Sequence, residues 1–362
     1  MRFRCERDTL AEALGHASRA VSTRSALPIL SAVSLEVSGS TLIVIGTDQE
    51  MTIRVERQVD TQEEGRAVVP ARLLTDYVRT LRAGTVTVES GDDEQLQVSD
   101  GQATSRVRGY PVGDFPPVGG RCTEPGVCLG MAQFGEAVRQ VIVAASRDEA
   151  RPILTGALLT STPEGIRLVA TDVYRLAKRD LAGRSLGEAG VKVLVPARAL
   201  GELERLGGDE VRVVLSEREI VFLADGVQLS SRLIDGEFPN YEQLLPERYP
   251  NRLEVKRADL TEALNRVKAF AVNNAPVKLR LLPDTVQLAA SAQDVGNAND
   301  QIDAKYEGEE MTIAFNPTYL LAGIEAAGGE TTVLETLDPL KPVVIKPGQG
   351  DDYLYLLMPV RI

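Results

Sequence analysis

Leu10, Ala13, Leu14, Ala17 and Val21 recur at intervals of three and four, which places them on one stripe of a helix. Thr9 stands just before the stripe as an expected N-cap. Short runs rich in β-branched residues follow, such as Thr41-Leu42-Ile43-Val44-Ile45, and read as strands. Pro70 opens a second expected helix at the first helical position, where its missing N–H costs nothing. Val86-Thr87-Val88-Glu89 then returns to the strand pattern. Helix, strands, helix, strands is the resulting unit.

The unit is written three times. Leu10-Ala11-Glu12-Ala13-Leu14 returns as Phe134-Gly135-Glu136-Ala137-Val138 and as Leu260-Thr261-Glu262-Ala263-Leu264. Leu27-Pro28-Ile29-Leu30 returns as Arg151-Pro152-Ile153-Leu154, and Gly46-Thr47-Asp48 as Ala170-Thr171-Asp172. Val69-Pro70-Ala71-Arg72 recurs letter for letter at Val195-Pro196-Ala197-Arg198, with Phe315-Asn316-Pro317-Thr318 as the third copy. Phe115-Pro116 returns as Phe238-Pro239. Matches in one order at near-constant spacing mark an internal repeat. Six helices are predicted, lying with their flanking residues within 7–24, 71–83, 133–151, 197–206, 256–270 and 317–328, with Asp259 as a further expected N-cap and Pro196 and Pro317 as further first-turn prolines. The Gly/Pro-rich stretches Gly109 to Gly126 and Asp235 to Asn251 read as linkers. The expected architecture is α+β, three tandem helix/sheet domains at 1–121, 122–247 and 248–362.

Composition narrows the chemistry. The chain has 362 residues, one histidine, three cysteines and no tryptophan. Cys5, Cys122 and Cys128 show no CxxC spacing, so no structural zinc site is expected, and their odd number suits a reducing compartment. The N-terminal residues lack the apolar core of a signal peptide, and no apolar run has membrane-spanning length. A cytoplasmic protein without membrane association is the expectation. No GxGxxG, GxxxxGK[ST], HExxH or GxSxG motif is present. His16 reads as a packed or surface residue, and the acidic pairs Asp92-Asp93 and Asp351-Asp352 as solvated turns. No catalytic residue, metal or cofactor is expected.

Charge is distributed unevenly. The whole chain carries −12, yet the six predicted helices with their flanks carry +4 and the remainder −16. Helices of one sign on a body of the other suit loose, sequence-independent contact with a polyanion. A second contrast lies between copies: Thr47-Asp48 is followed by polar Gln49-Glu50, but Thr171-Asp172 by Val173-Tyr174-Arg175-Leu176. Apolar residues at a turn that is polar in its sister point to a pocket. The chain also stays apolar through Leu356-Leu357-Met358-Pro359-Val360, and the last strand is expected to end near Leu357.

Over its whole length the chain resembles the bacterial DNA polymerase III β subunit family, the sliding clamps. The resemblance rests on Leu27-Pro28-Ile29-Leu30, Gly46-Thr47-Asp48-Gln49-Glu50-Met51, Ala170-Thr171-Asp172-Val173-Tyr174-Arg175-Leu176-Ala177, Asp235-Gly236-Glu237-Phe238-Pro239-Asn240-Tyr241 and Met358-Pro359-Val360-Arg361-Ile362. It implies a non-enzymatic processivity factor: a head-to-tail homodimeric ring, lined by helices, that encircles duplex DNA. It also implies a pocket for short Gln- and Leu/Phe-containing peptides of the polymerase III α subunit, the clamp loader, other polymerases and repair proteins. The pocket positions carried over are Leu154, Thr171, Val173, Tyr174, Arg175, Leu176, Pro239, Gln243, Leu244, Asn316, Tyr319, Leu340, Pro342, Leu356, Met358, Pro359, Val360 and Arg361. Val173-Tyr174 stands where the family commonly has Gly-His, and Gln243 where a basic residue is frequent. The implied dimer contact lies near Val107 and Phe270-Ala271-Val272. Arg24 matches a DNA-facing position, while Pro152-Ile153 replaces a tyrosine pair. Arg72, Arg79, Arg82, Arg139, Arg147 and Arg198 join Arg24 on the expected DNA side from helix position and charge. The alternative reading is a repeat scaffold that binds only proteins.

Overall fold

A computed structural model describes residues 1–22, 25–91, 94–245, 248–272 and 275–361. The described residues form six α-helices: α1 Arg7–Ala17, α2 Ala71–Thr80, α3 Met131–Ile142, α4 Ala197–Leu200, α5 Arg257–Lys268 and α6 Pro317–Ala327. None is long and apolar enough to cross a membrane. The predicted stripe of α1 is buried at Leu10, Ala13, Leu14 and Ala17. α4 is shorter than expected, one turn followed by a 3-10 turn at Leu203–Arg205. Gly201, Gly207 and Gly208 in this stretch weaken helix propagation.

The helix caps also differ from expectation. Thr9 and Asp259 lie inside α1 and α5, whose cap positions Glu6 and Lys256 make no side-chain cap bond. α1, α3 and α5 begin where a strand runs directly into them, and a neighbouring carbonyl takes the first orphan donor. Arg7 N–H donates to Gly84 O, Met131 N–H to Asp209 O and Arg257 N–H to Glu330 O, all at 2.8 Å. Pro70 and Pro196 are the cap residues themselves, closing the edge strands Gly65–Pro70 and Lys192–Pro196, while Pro317 is at the first helical position. Asn316 is the one side-chain cap among the described helices whose caps are defined, accepting from Thr318 and Tyr319 N–H.

The chain packs as two compact units, Met1–Ala132 with Glu202–Leu233, and Gln133–Gly201 with Ile234–Ile362. Unit 1 holds a five-stranded sheet in the order Asp60–Glu63, Arg2–Glu6, Thr85–Ser90, Gln95–Ser99, Thr104–Arg108. Its eight-stranded sheet runs Val127–Gly130, Glu210–Leu215, Glu219–Ala224, Val227–Arg232, Met51–Gln58, Thr41–Thr47, Ala32–Ser38, Gly65–Pro70. Unit 2 holds a nine-stranded sheet with Tyr353–Leu357 beside Arg175–Ala182, and a four-stranded sheet ordered Gly296–Asp303, Thr285–Ala292, Val277–Leu282, Met311–Phe315. The Gly/Pro-rich stretches are packed straps rather than loose linkers. Phe115 lies in a buried cluster with Ile43, Ile45 and Val68, and Tyr241 in one with Leu176, Val344 and Leu356.

Each large sheet has an antiparallel seam between strands of different repeats. Met51 pairs with Ser231 in unit 1, and Arg175 with Leu357 in unit 2. The turn entering each seam is built alike, bond for bond. Thr47 Oγ1 donates to Met51 O at 3.2 Å, and Thr171 Oγ1 to Arg175 O at 2.7 Å. Asp48 Oδ1 accepts from Glu50 and Met51 N–H, and Asp172 Oδ1 from Tyr174 and Arg175 N–H. The residue at the bend has a left-handed backbone, φ 76° at Gln49 and 81° at Val173.

That φ sits badly on a β-branched side chain, for a cost of about 1–3 kcal/mol. Replacing Val173 by Gly removes the strain and gives back about 0.5–1 kcal/mol through the freer unfolded chain. Val173→Gly is therefore expected to raise the urea midpoint, by a net of about 1 kcal/mol, and Gln49→Gly to change it less. A lowered midpoint for Val173→Gly would show that the bend carries no strain.

Candidate functional site

In unit 2 the Thr171–Arg175 turn and the chain end are tied together at the seam. The last strand ends at Leu357, as the sequence suggests, and Met358 N–H donates to Tyr174 O at 2.9 Å. Val360 N–H donates to Ala314 O at 2.8 Å, so the tail is pinned at both of these residues. Below it, Leu154, Leu176 and Leu356 are buried, the last two in the cluster that Tyr241 closes. Above it, Val173, Tyr174, Leu244, Leu340, Met358 and Val360 are exposed, six of the ten exposed large hydrophobics among the described residues. Large side chains are normally left in water singly, so this grouping on one seam marks an interaction surface.

The remaining expected residues join the same region. Leu340 and Pro342 lie on the turn leading into Val343, which pairs with Leu357. Pro239 and Gln243 are exposed between Phe238, Tyr241 and Leu245, which pack on the buried cluster. Pro359 is half-buried and Arg361 exposed. The Arg175 guanidinium stacks over the Tyr319 ring, 4.2 Å from its centre, and its Nε donates to Asp172 Oδ2 at 2.9 Å. Burial opposes the charge on Arg175, but Tyr355 and Asp172 outweigh it and raise the pKa. Asn316 differs from expectation in one respect. Its carboxamide oxygen is occupied by the first turn of α6, at 2.9 Å and 3.2 Å, leaving only its NH₂ for a ligand.

Two framing residues escape a reading of the sequence alone. Asp172 is buried and holds both the turn N–H groups and Arg175. Tyr355 is buried and donates its hydroxyl to Tyr319 O at 2.9 Å; burial pushes its pKa up, so it stays a donor. The Thr-Asp pair repeated at both seams was the available signal for Asp172. Nothing in the pattern around Tyr355 separates it from an ordinary core aromatic.

The arginines expected on the DNA side are all exposed where described. Arg72 and Arg79 stand on α2 opposite its buried Leu74 and Val78. Arg139 is on α3, Arg147 follows it and Arg198 is on α4. Arg72 pairs with Asp76 at 3.6 Å, and Arg82 with Gln102 and, at 3.9 Å, Asp100. Arg24 and the Asp92-Asp93 pair lie outside the described residues. Asp352 pairs with Arg179 at 2.6 Å, and His16 sits 3.7 Å from Glu12. No group of three or more His, Cys, Asp or Glu among the described residues is placed to hold a metal.

The strand on which the dimer contact is expected turns Val107 itself inward. Its side chain is only 3% exposed within its own domain, because it alternates inward on the strand Thr104–Arg108. Arg106 and Arg108 point outward there instead. Phe270, Ala271 and Val272 follow α5 and are partly exposed.

Comparison with known proteins gives one answer. Family models of the DNA polymerase III beta subunit match throughout: the N-terminal domain at residues 1–119, the central domain at 129–240 and the C-terminal domain at 242–361. The chain is 32% identical over 376 residues to the beta sliding clamp of Streptomyces coelicolor, covering 100% of both. It is 35% identical to the beta sliding clamp homolog GriR of Streptomyces muensis, covering 100% of this chain and 99% of that one. The crystal structure of a DnaN sliding clamp from Bartonella birtlesii, bound to griselimycin, superposes with a TM-score of 0.93 at 30% identity over 100% of both chains. Three tandem clamp domains, with their helices and antiparallel sheets in this order, place the chain in the DNA polymerase III beta subunit family, the beta sliding clamps.

Proposed function

We propose that this sliding clamp works as a non-enzymatic, cytoplasmic processivity factor, a homodimeric ring around duplex DNA with a groove for Leu/Phe-containing peptides on unit 2 of each chain. The domain limits we assign are 1–121, 122–247 and 248–362. The observation that carries the groove is the exposed apolar set of Val173, Tyr174, Leu244, Leu340, Met358 and Val360 over a buried leucine floor. Leu/Phe side chains of a partner peptide fill such a surface, and Asn316 NH₂ and Arg361 orient its backbone. The griselimycin-bound relatives from Bartonella birtlesii and Pseudomonas aeruginosa support a ligand-binding role for this family's surface. The partners that fit are the polymerase III α subunit, the clamp loader, and other polymerases and repair proteins with clamp-binding peptides. The exposed arginines of α2, α3 and α4 meet DNA phosphates without reading sequence.

Ring closure is argued from sheet edges. Thr104–Arg108 and Gly296–Asp303 each end a sheet with their outer main-chain groups unpaired by any strand among the described residues. Such edges invite pairing with another chain. The first carries Arg106 and Arg108; the second carries exposed Asp303, with Asp300 already held by Arg266 at 2.6 Å, so a head-to-tail copy brings the arginines to Asp303. Met311–Phe315, the other edge of the four-stranded sheet, is already covered at Ala314 by Val360.

The groove is tested by titrating a labelled Gln-Leu-x-Leu-Phe-type peptide. Leu340→Ala with Met358→Ala is expected to weaken binding by roughly 2 kcal/mol, about thirtyfold, at an unchanged melting temperature. Unchanged affinity would refute the assignment. The ring edge is tested by solution mass. Arg106→Glu with Arg108→Glu is expected to give folded monomers at micromolar concentration, because it sets like charges opposite Asp303. Adding Asp303→Arg is expected to restore the dimer; a variant that stays dimeric without that rescue would contradict the edge pairing.

A further inference from the structure

Unit 1 contains the same seam and turn as unit 2, and a groove of about 500 Å³ opens beside it. Arg232 N–H donates to Glu50 O at 3.0 Å, as Met358 does to Tyr174 in unit 2. Pro116 of the first strap lines this groove, as Pro239 stands on the second strap. The side chains differ throughout. Where the unit 2 seam has Leu176 and Leu356, unit 1 has Thr52 and Ser230, which face each other across the strands. Where the rim of unit 2 has Leu340 and Met358, unit 1 has Arg218 and Arg232. The frame is kept and its chemistry is inverted.

The two arginines are available. Arg218 is exposed and has no ion pair among the described residues. Arg232 reaches Glu50 only at 3.7 Å, with both side chains about two-thirds or more in water, at 66% and 72%. Such a pair contributes little and gives way easily. Glu219 on the rim faces Arg232 across the strands and keeps the empty groove near neutral. Ser230 accepts from Gln228 at 3.4 Å and keeps its own hydroxyl proton for a ligand.

We propose that this groove is a second docking site, one that takes an extended acidic segment of a partner protein. In an extended peptide, residues i and i+2 face the same side about 7 Å apart, which suits neighbouring guanidiniums on the ends of adjacent strands. Leu/Phe peptides are excluded, since they would bury the Arg218 and Arg232 guanidiniums against apolar side chains that offer them no acceptor. The two grooves of one chain therefore select different partners at the same time. The equivalence of the two turns is a matter of backbone geometry, independent of what the unit 2 groove binds.

The test uses the full chain and a fluorescein-labelled peptide, Gly-Ser-Asp-Ser-Glu-Ser-Asp-Gly, in anisotropy titration. Saturable binding is expected, weakened about tenfold by Arg218→Ala with Arg232→Ala, tightened by Glu50→Gln, which frees Arg232, and weakened by added salt. Excess Leu/Phe peptide and the Leu340→Ala/Met358→Ala variant are expected to leave it unchanged, and loss of Leu/Phe binding alone would implicate only the unit 2 groove. No saturable binding, indifference to the arginine double variant, or competition by the Leu/Phe peptide would overturn the proposal. Displacement by a short DNA duplex would assign these arginines to phosphate and overturn it as well.

Discussion

The antiparallel seam between strands of different repeats is the constraint on which the rest depends. A single domain copy has too few strands to complete its large sheet. Met51–Gln58 instead takes Val227–Arg232 as its neighbour, and Arg175–Ala182 takes Tyr353–Leu357. Main-chain hydrogen bonds are satisfied along each seam, which a buried sheet interior requires. Each seam must then end, and the Thr-Asp turn ends it by consuming its own N–H groups with a buried or half-buried side-chain oxygen. What emerges at that point is a rigid ledge of backbone with free side chains.

Function follows from what is placed on the ledge. In unit 2 the strand runs on into Met358 and Val360, and the turn presents Val173 and Tyr174, so the ledge is apolar. In unit 1 the same atoms of backbone carry Glu50 and Arg232. Val173 occupies a left-handed bend that disfavours it, which is consistent with a side chain retained for its surface rather than for its backbone. A rigid frame with interchangeable side chains binds short peptides at low entropic cost, because little of it must be ordered on docking.

Much of this was legible in the sequence. The threefold recurrence of the segments at 10–14, 134–138 and 260–264, and of those opening at Val69, Val195 and Phe315, exposed the repeat, and amphipathic spacing located α1 and α5. The last strand ends at Leu357, where burial as a strand was expected to stop accounting for the apolar tail. The N-caps at Thr9 and Asp259 were misplaced because Gly84 and Glu330 supply the first acceptors of α1 and α5 from distant loops, a tertiary effect with no local mark. Val107 came from the resemblance alone; strand alternation turns its own side chain inward and leaves Arg106 and Arg108 at the surface beside it, an orientation that the resemblance does not carry. Asn316 was expected among the pocket positions from the resemblance, and its role as a cap was hidden in a Phe-Asn-Pro-Thr segment read through its proline.

The central claim is that the molecule holds DNA by topology and not by affinity. The helix charge is a modest +4 per chain on a body of −16, too small to retain DNA at high salt. The direct measurement is retention of loader-assembled protein on a nicked circular plasmid at a salt concentration that strips ordinary phosphate binders, before and after the plasmid is cut. The account predicts retention on the circle and rapid release once an end is available. Equal retention on circular and linear DNA would contradict it.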